Sequence, residues 1–147
     1  MDDKLVNAFN KFFHDSAVSE IRFKNSFTID DKFTYNDTLY MAIIEGHPGE
    51  YTPSMIADML YVSRPSVTQK INELEKKGFI EKRRNPHDKR NYNLYIKADI
   101  YKHLKQDNLQ TKIADEVKKK FSTEEIDILC KTLDIVGECM LKENFGK

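Results

Sequence analysis

Two stretches of the chain carry side chains whose types and spacing suit the recognition of a polyanion. The segment Ser63–Lys70 reads SRPSVTQK, and a helix that turns Val67 inward advances roughly 100° per residue. Pro65, Gln69 and Asn72 then point away from the interior, Ser66 and Thr68 lie on the flanks, and Arg64 sits at the N-terminal end. Exposed helix faces are commonly rich in Glu and Lys, whereas this one is short and polar. Hydroxyls and amides so spaced can hydrogen-bond base-pair edges in a groove wide enough for a helix, and a Gln amide can hold an adenine through two bonds at once. Arg64, Ser66, Thr68 and Gln69 are therefore the base-contact candidates. Further on, Lys82, Arg83, Arg84, Lys89 and Arg90 crowd around Asn85-Pro86-His87-Asp88, opposed only by Glu81 and Asp88. Their cationic groups, with that of Lys70, suit phosphate oxygens.

The elements that must position these groups are legible on either side. Thr52-Pro53 is a helix start, a hydroxyl cap followed by a proline whose missing N–H is harmless at the first position. Ile56, Met59 and Leu60 give that helix an apolar face, Tyr61-Val62 is the turn, and Ser63 caps the next helix. Val62 and Val67 are spaced as a hydrophobic staple across that cap. Val67, Ile71 and Leu74 repeat at helical period, and Gly78 ends the helix. Phe79–Arg84 and Asn91–Ile96 then read as the strands of a hairpin, with Leu94 and Ile96 on one face. Proline at the second position of Asn85-Pro86-His87-Asp88 suits a type I turn.

The stretch VSRPSVTQKINELEKKGFIEKRRNPHDKRNYNLYI resembles the MarR-type winged helix-turn-helix regulators. It matches that family's helix, the glycine that closes it, and the Asp-x-Arg element of the wing, here Asp88-Lys89-Arg90. The resemblance covers the whole chain and implies an α+β, predominantly helical fold in one domain, residues 1–147. A winged-helix lobe of about residues 34–97 would lie between dimerisation helices of about 3–24 and 99–147. It also implies a cytoplasmic homodimer that binds a palindromic operator on double-stranded DNA as an effector-responsive repressor. Lys70, Lys82, Arg83, Arg84 and Lys89 would then meet phosphates, and Arg90 would enter the minor groove with Asp88 orienting the wing. Where the family often has a Leu-Thr pair after the wing, this chain has Ile96-Lys97-Ala98-Asp99, which moves the next helix cap to Asp99. The rival reading is a winged helix that meets an acidic protein partner. Polar Ser66, Thr68 and Gln69 disfavour it, because a protein hot spot calls for exposed aromatics there.

The charge distribution agrees with a nucleic-acid partner. The chain has 147 residues and zero formal net charge, yet residues 64–97 carry ten Lys/Arg against four Asp/Glu. Residues 1–63 carry five against ten. A basic patch in an acidic body binds phosphates while the remainder resists nonspecific adhesion. Apolar runs are too short for a membrane span or signal peptide.

Toward the N-terminus, residues 3–24 form a helix with a stripe of Leu5, Val6, Phe9, Phe12, Phe13, Ala17, Val18 and Ile21. Phe9, Phe13, Phe33 and Tyr40 are candidates for a cleft holding a small apolar or aromatic effector, where the family places one. Thr34-Tyr35-Asn36-Asp37 reads as a capping box with Asp in place of Glu. It opens a helix to about Glu45 with Leu39, Ala42 and Ile43 inward, stopped by Gly46-His47-Pro48-Gly49. Beyond the wing, a helix runs from Asp99 to about Lys120, loosened near Gln106–Asn108. Phe121-Ser122-Thr123-Glu124-Glu125-Ile126 is a full capping box, and the last helix buries Ile126, Leu129, Leu133, Val136 and Met140. Such stripes at both ends exceed the core available to cover them, so a second copy is expected.

Other chemistry finds little support. Cys130 and Cys139 lie on opposite faces of one helix, roughly 13 Å apart along it, and are expected to be buried and inert. His14, His47, His87 and His103 do not cluster, so no metal or cofactor is expected. No nucleophile triad, phosphate loop or carboxylate pair marks an enzyme.

Overall fold

The computed structural model describes residues 3–26, 34–97 and 109–143, and the chain divides into two compact units, residues 1–100 and 101–147. In the first, α1 (Lys4–Ser26) and α2 (Tyr35–Gly46) precede α3 (Pro53–Leu60), α4 (Arg64–Lys76) and a hairpin of β1 (Ile80–Arg84) and β2 (Tyr92–Ile96). The second contains α5 (Leu109–Lys118) and α6 (Thr123–Lys142). Phe33, the Asp99 cap and the loosening near Gln106–Asn108 lie outside the described residues.

Each helix of the first unit beyond α1 starts on a side-chain cap. The Thr34 hydroxyl accepts from the Asp37 amide while the Asp37 carboxylate accepts from the Thr34 amide, a complete capping box. Thr52 and Ser63 cap α3 and α4 by accepting from Met55 and Ser66 amides. The turn between α3 and α4 closes when the Val62 N–H donates to the Ala57 carbonyl at 3.1 Å. That geometry places Tyr61 at φ 54°, a left-handed conformation usually filled by glycine. At the far end of α4, Phe79 N–H donates to the Leu74 carbonyl and Gly78 N–H to that of Glu75. This is the Schellman pattern, and Gly78 supplies its positive φ of 81°.

The core is built from α2, α3, α4, β1 and β2: Ile44, Ile56, Ala57, Val67, Ile71, Leu74, Ile80 and Leu94, all fully buried. Burial of each large aliphatic contributes roughly 1.5–3 kcal/mol. The α4 stripe is the one its periodicity implies. Two other faces differ from expectation. In α2 the inward residues are Asp37, Met41 and Ile44, with Tyr40 and Ile43 packed beside them, whereas Leu39 and Ala42 are exposed. The face that closes on β2 is chosen by Ile44 meeting the sheet, and it is rotated from the most apolar arc. In α3, Ala57 replaces Met59 inside because the close α3–α4 crossing admits a small residue.

β1 and β2 pair antiparallel from Ile80 opposite Ile96 to Arg84 opposite Tyr92. The loop before α3 joins them: Gly49 N–H donates to the Leu94 carbonyl at 3.0 Å, and Leu94 N–H donates to that of Tyr51 at 3.2 Å. Gly49 has φ 75°, and a Cβ there would overlap the Tyr95 ring. A Gly49→Ala variant is expected to lose about 2 kcal/mol, combining left-handed strain with displacement of the ring. Urea unfolding checks it, and a loss under 0.5 kcal/mol would show that the ring moves aside freely.

In the second unit, the Ser122–Glu125 capping box forms as its sequence implies. The stripe behind it is not buried within the chain: Leu129, Leu133 and Met140 are exposed, and Ile126 and Val136 half-buried. Cys130 and Cys139 are exposed as well, contrary to expectation. The cause is common to all of them, because α5 covers only a little of the wide apolar arc of α6. Among the described residues no helix is long and apolar enough to cross a membrane.

Candidate nucleic-acid interface

The outward row of α4 is open along its length. Arg64, Pro65, Ser66, Thr68, Gln69 and Asn72 are all exposed while Val67, Ile71 and Leu74 behind them are sealed. Arg64 lies 3.4 Å from the Asp58 carboxylate across the turn, a loose pair between two exposed groups. Such a pair contributes little and leaves the guanidinium free to exchange partners.

Lys70 behaves differently from its neighbours in the row. It is turned inward against Asp37, whose carboxylate is fully buried. Lys77, two turns on, donates to the other oxygen of Asp37 at 2.9 Å. Glu73 lies between the two lysines, 2.7 Å from Lys77 and 3.6 Å from Lys70. Burial pushes the Asp37 carboxyl up, but Lys70, the Thr34 amide and Lys77 together outweigh it and hold the group below its ordinary range. Glu73 is likewise lowered by the Lys77 hydrogen bond and the Lys70 charge. Desolvation lowers Lys77, and its bonds to Glu73 and Asp37 more than reverse that.

The sign of the pH dependence follows. Carboxyls depressed in the folded state stabilise it above their unfolded pKa near 4, and that stability is lost as pH falls through the folded values. A raised Lys77 stabilises below its unfolded pKa near 10.5 and ceases to as pH rises through the folded value. The first unit is thus expected to hold a flat stability plateau between, with loss beginning below about pH 4. Thermal unfolding at stepped pH checks this, and a decline already under way between pH 7 and 5 would contradict it.

The hairpin sorts its cations into engaged and open groups. Lys82 lies 2.8 Å from the Glu75 carboxylate and also donates to the Asn72 side chain, which ties β1 to α4. Arg83 pairs with Glu81 and stacks on the Tyr95 ring at 4.1 Å from its centroid. Arg84, Lys89 and Arg90 are exposed and pair with no carboxylate among the described residues. Asp88 shapes the tip: it accepts from the Arg90 amide at 3.0 Å and the Asn91 side chain at 2.8 Å. Asn85 accepts from the His87 amide at 2.9 Å, a side-chain turn at the proline.

Of the cleft candidates, Tyr40 packs against the core of the first unit, Phe9 is half-buried, and Phe13 is exposed with its ring edge-on to Phe12. An apolar hollow of about 300 Å³ lies instead in the second unit, among Val117, Phe121, Ile126, Ile128 and Leu129. The group that sequence reasoning missed is the Asp37–Glu73–Lys77 cluster. Its one sequence signal, an acid at the third position of α2, reads equally well as a cap alone.

Helix, turn, helix and a basic hairpin pinned to the second helix define a winged helix-turn-helix protein. Residues 32–91, the helix-turn-helix and most of the hairpin, match the model of the MarR family. A staphylococcal relative, the HTH-type transcriptional regulator SarT of Staphylococcus aureus, is 27% identical over 66 residues, 45% of this chain and 56% of the relative. The matching segment thus spans about half the length of such curated relatives. Solved structures extend the likeness of fold. FabT of Streptococcus pneumoniae, determined in complex with DNA, has a TM-score of 0.60 at 22% identity, over 93% of this chain and 95% of that one. MepR of Staphylococcus aureus, also solved with DNA, has a TM-score of 0.52 at 17% identity, over 95% and 99% of the two chains.

Proposed function

We propose that this chain is a homodimeric, sequence-specific DNA-binding transcription regulator of the cytoplasm, acting as a repressor that covers a palindromic operator. The observation that carries the reading is the pairing of two open surfaces. One is the row Arg64, Ser66, Thr68 and Gln69 on α4; the other is the wing tip with Arg84, Lys89 and Arg90 uncommitted. In that reading α4 is the recognition helix, its row meets base edges in the major groove, and the wing reaches the flanking minor groove. Two protomers place two such helices about one helical turn of DNA apart, and a small apolar effector acts by changing that spacing. DNA complexes of FabT and MepR, which share the fold, support the mode of binding.

In vitro selection of bound duplexes, followed by titration of two variants, tests it. Gln69→Ala is expected to relax preference at one base pair per half-site by roughly 1–3 kcal/mol, with the salt slope nearly unchanged. Arg90→Ala is expected to weaken all sequences alike and to flatten the slope of log K against log salt by about one per wing. Should Arg90→Ala bind as wild type at every salt, the wing does not touch DNA and this mechanism is wrong.

A further inference from the structure

The packing behind the recognition helix is apolar and therefore sets distance better than orientation. Val67, Ile71 and Leu74 keep α4 against the core, but such contacts are non-directional. What fixes rotation about the helix axis and sliding along it must be directional: Lys82 ties α4 to β1 through Glu75 and Asn72, and a second tie runs to α2. Lys70 on α4 and Lys77, the residue that caps its C-terminus, stand two turns apart, roughly 10 Å along the helix axis, and both ammonium groups converge on the Asp37 carboxylate. They are 14% and 19% exposed and Asp37 is not exposed at all. Asp37 is itself immobilised, since the Thr34 amide donates to it at 2.8 Å in the first turn of α2. Two tethers from separated points on one helix to a single anchored group restrain both tilt and rotation.

We propose that Asp37 is a positioning residue of the recognition helix, holding it through Lys70 and Lys77 at the rotation that presents Arg64, Ser66, Thr68 and Gln69. The inference rests on the DNA-binding reading above, and it gives Lys70 a role different from a phosphate contact. Gln69 adjoins Lys70 in the chain, so a rotation that releases the lysine mis-aims the amide. Losing one well-aimed two-bond contact corresponds to about ten-fold in affinity for the cognate site. Nonspecific binding, carried by phosphates, does not depend on that aim.

The test uses the full chain, a selected operator and a scrambled duplex of equal length, at a temperature where circular dichroism shows each variant folded. Asp37→Asn keeps an acceptor for the Thr34 amide and removes the charge. It is expected to lower operator affinity about ten-fold while scrambled-duplex affinity and the salt slope stay near wild type. Lys70→Gln, which removes one tether only, is expected to lower the operator-to-scrambled ratio about three-fold with the slope again unchanged. If Asp37→Asn does not fold, Lys70→Gln decides alone. A ratio that holds at the wild-type value overturns the proposal. So does a Lys70→Gln variant that weakens both duplexes equally and reduces the slope by about one, because Lys70 is then a phosphate ligand. A wild-type chain that does not discriminate the two duplexes sinks the DNA-binding reading instead, before any variant is compared.

Discussion

Glutamates at both Leu133 and Val136 are expected to turn the protein into monomers or insoluble chains and to abolish measurable operator affinity. Both residues lie on the apolar arc of α6, where Leu133 is 54% and Met140 53% exposed within a single chain. Ile128, Ile135 and Leu141 widen that arc, each more than 60% exposed. The surface is far more than an isolated soluble helix carries without a partner, and α1 shows Leu5, Phe12 and Ile21 in the same condition. A second copy that covers these stripes would bury four new carboxylates in the doubly substituted protein, each unpaired. At a few kcal/mol per buried charge, the dimer dissociation constant should rise by about a thousand-fold or more. Two half-sites are then no longer engaged together, and the gain from linked binding disappears. Sedimentation at micromolar concentration gives the oligomeric state and titration gives the affinity. Glu138→Ala, on the charged face of α6, serves as the control and should leave both unchanged. A wild-type protein that sediments as a monomer ends the dimer reading.

The second large effect is on stability. Asp37→Ala is expected to destabilise the first unit by about 3 kcal/mol. Removing one member of a buried ion pair leaves its partners charged and poorly solvated, typically at a cost of about 3–5 kcal/mol. Here Lys70 and Lys77 retain Glu73 within reach, which keeps the expectation at the lower end. The Thr34 amide also loses its acceptor, a capping loss of about 1 kcal/mol that falls inside the same figure. The melting temperature should fall by about 10 °C for a chain of this size. Lys76→Ala, an exposed neighbour, should change stability by less than about 0.5 kcal/mol. If Asp37→Ala melts within two or so degrees of wild type, solvent reaches the lysines easily and the cluster is weaker than its burial implies.

These two expectations divide according to what a sequence can express by itself. Local rules determined the elements of the first unit. Thr34, Thr52 and Ser63 announced helix starts because a cap is decided within four residues. Gly78 announced a helix end because its positive φ is a property of one residue. The α4 stripe and the strands of the wing followed from period alone, as did the exposed row Arg64, Ser66, Thr68 and Gln69. Tertiary structure decided everything that depended on which partner came near. Periodicity gave α2 an apolar arc through Leu39, yet packing on the sheet turned Asp37, Met41 and Ile44 inward. The five hairpin cations looked equivalent in a list of charges. Only the fold brought Glu75 to Lys82 and Tyr95 to Arg83, leaving Arg84, Lys89 and Arg90 open. Lys70 and Asp37 are separated by more than thirty residues of chain, so no spacing rule links them. Their pairing depends on the α2–α4 approach, because an ion pair acts over a few ångströms of space and takes no account of distance along the sequence.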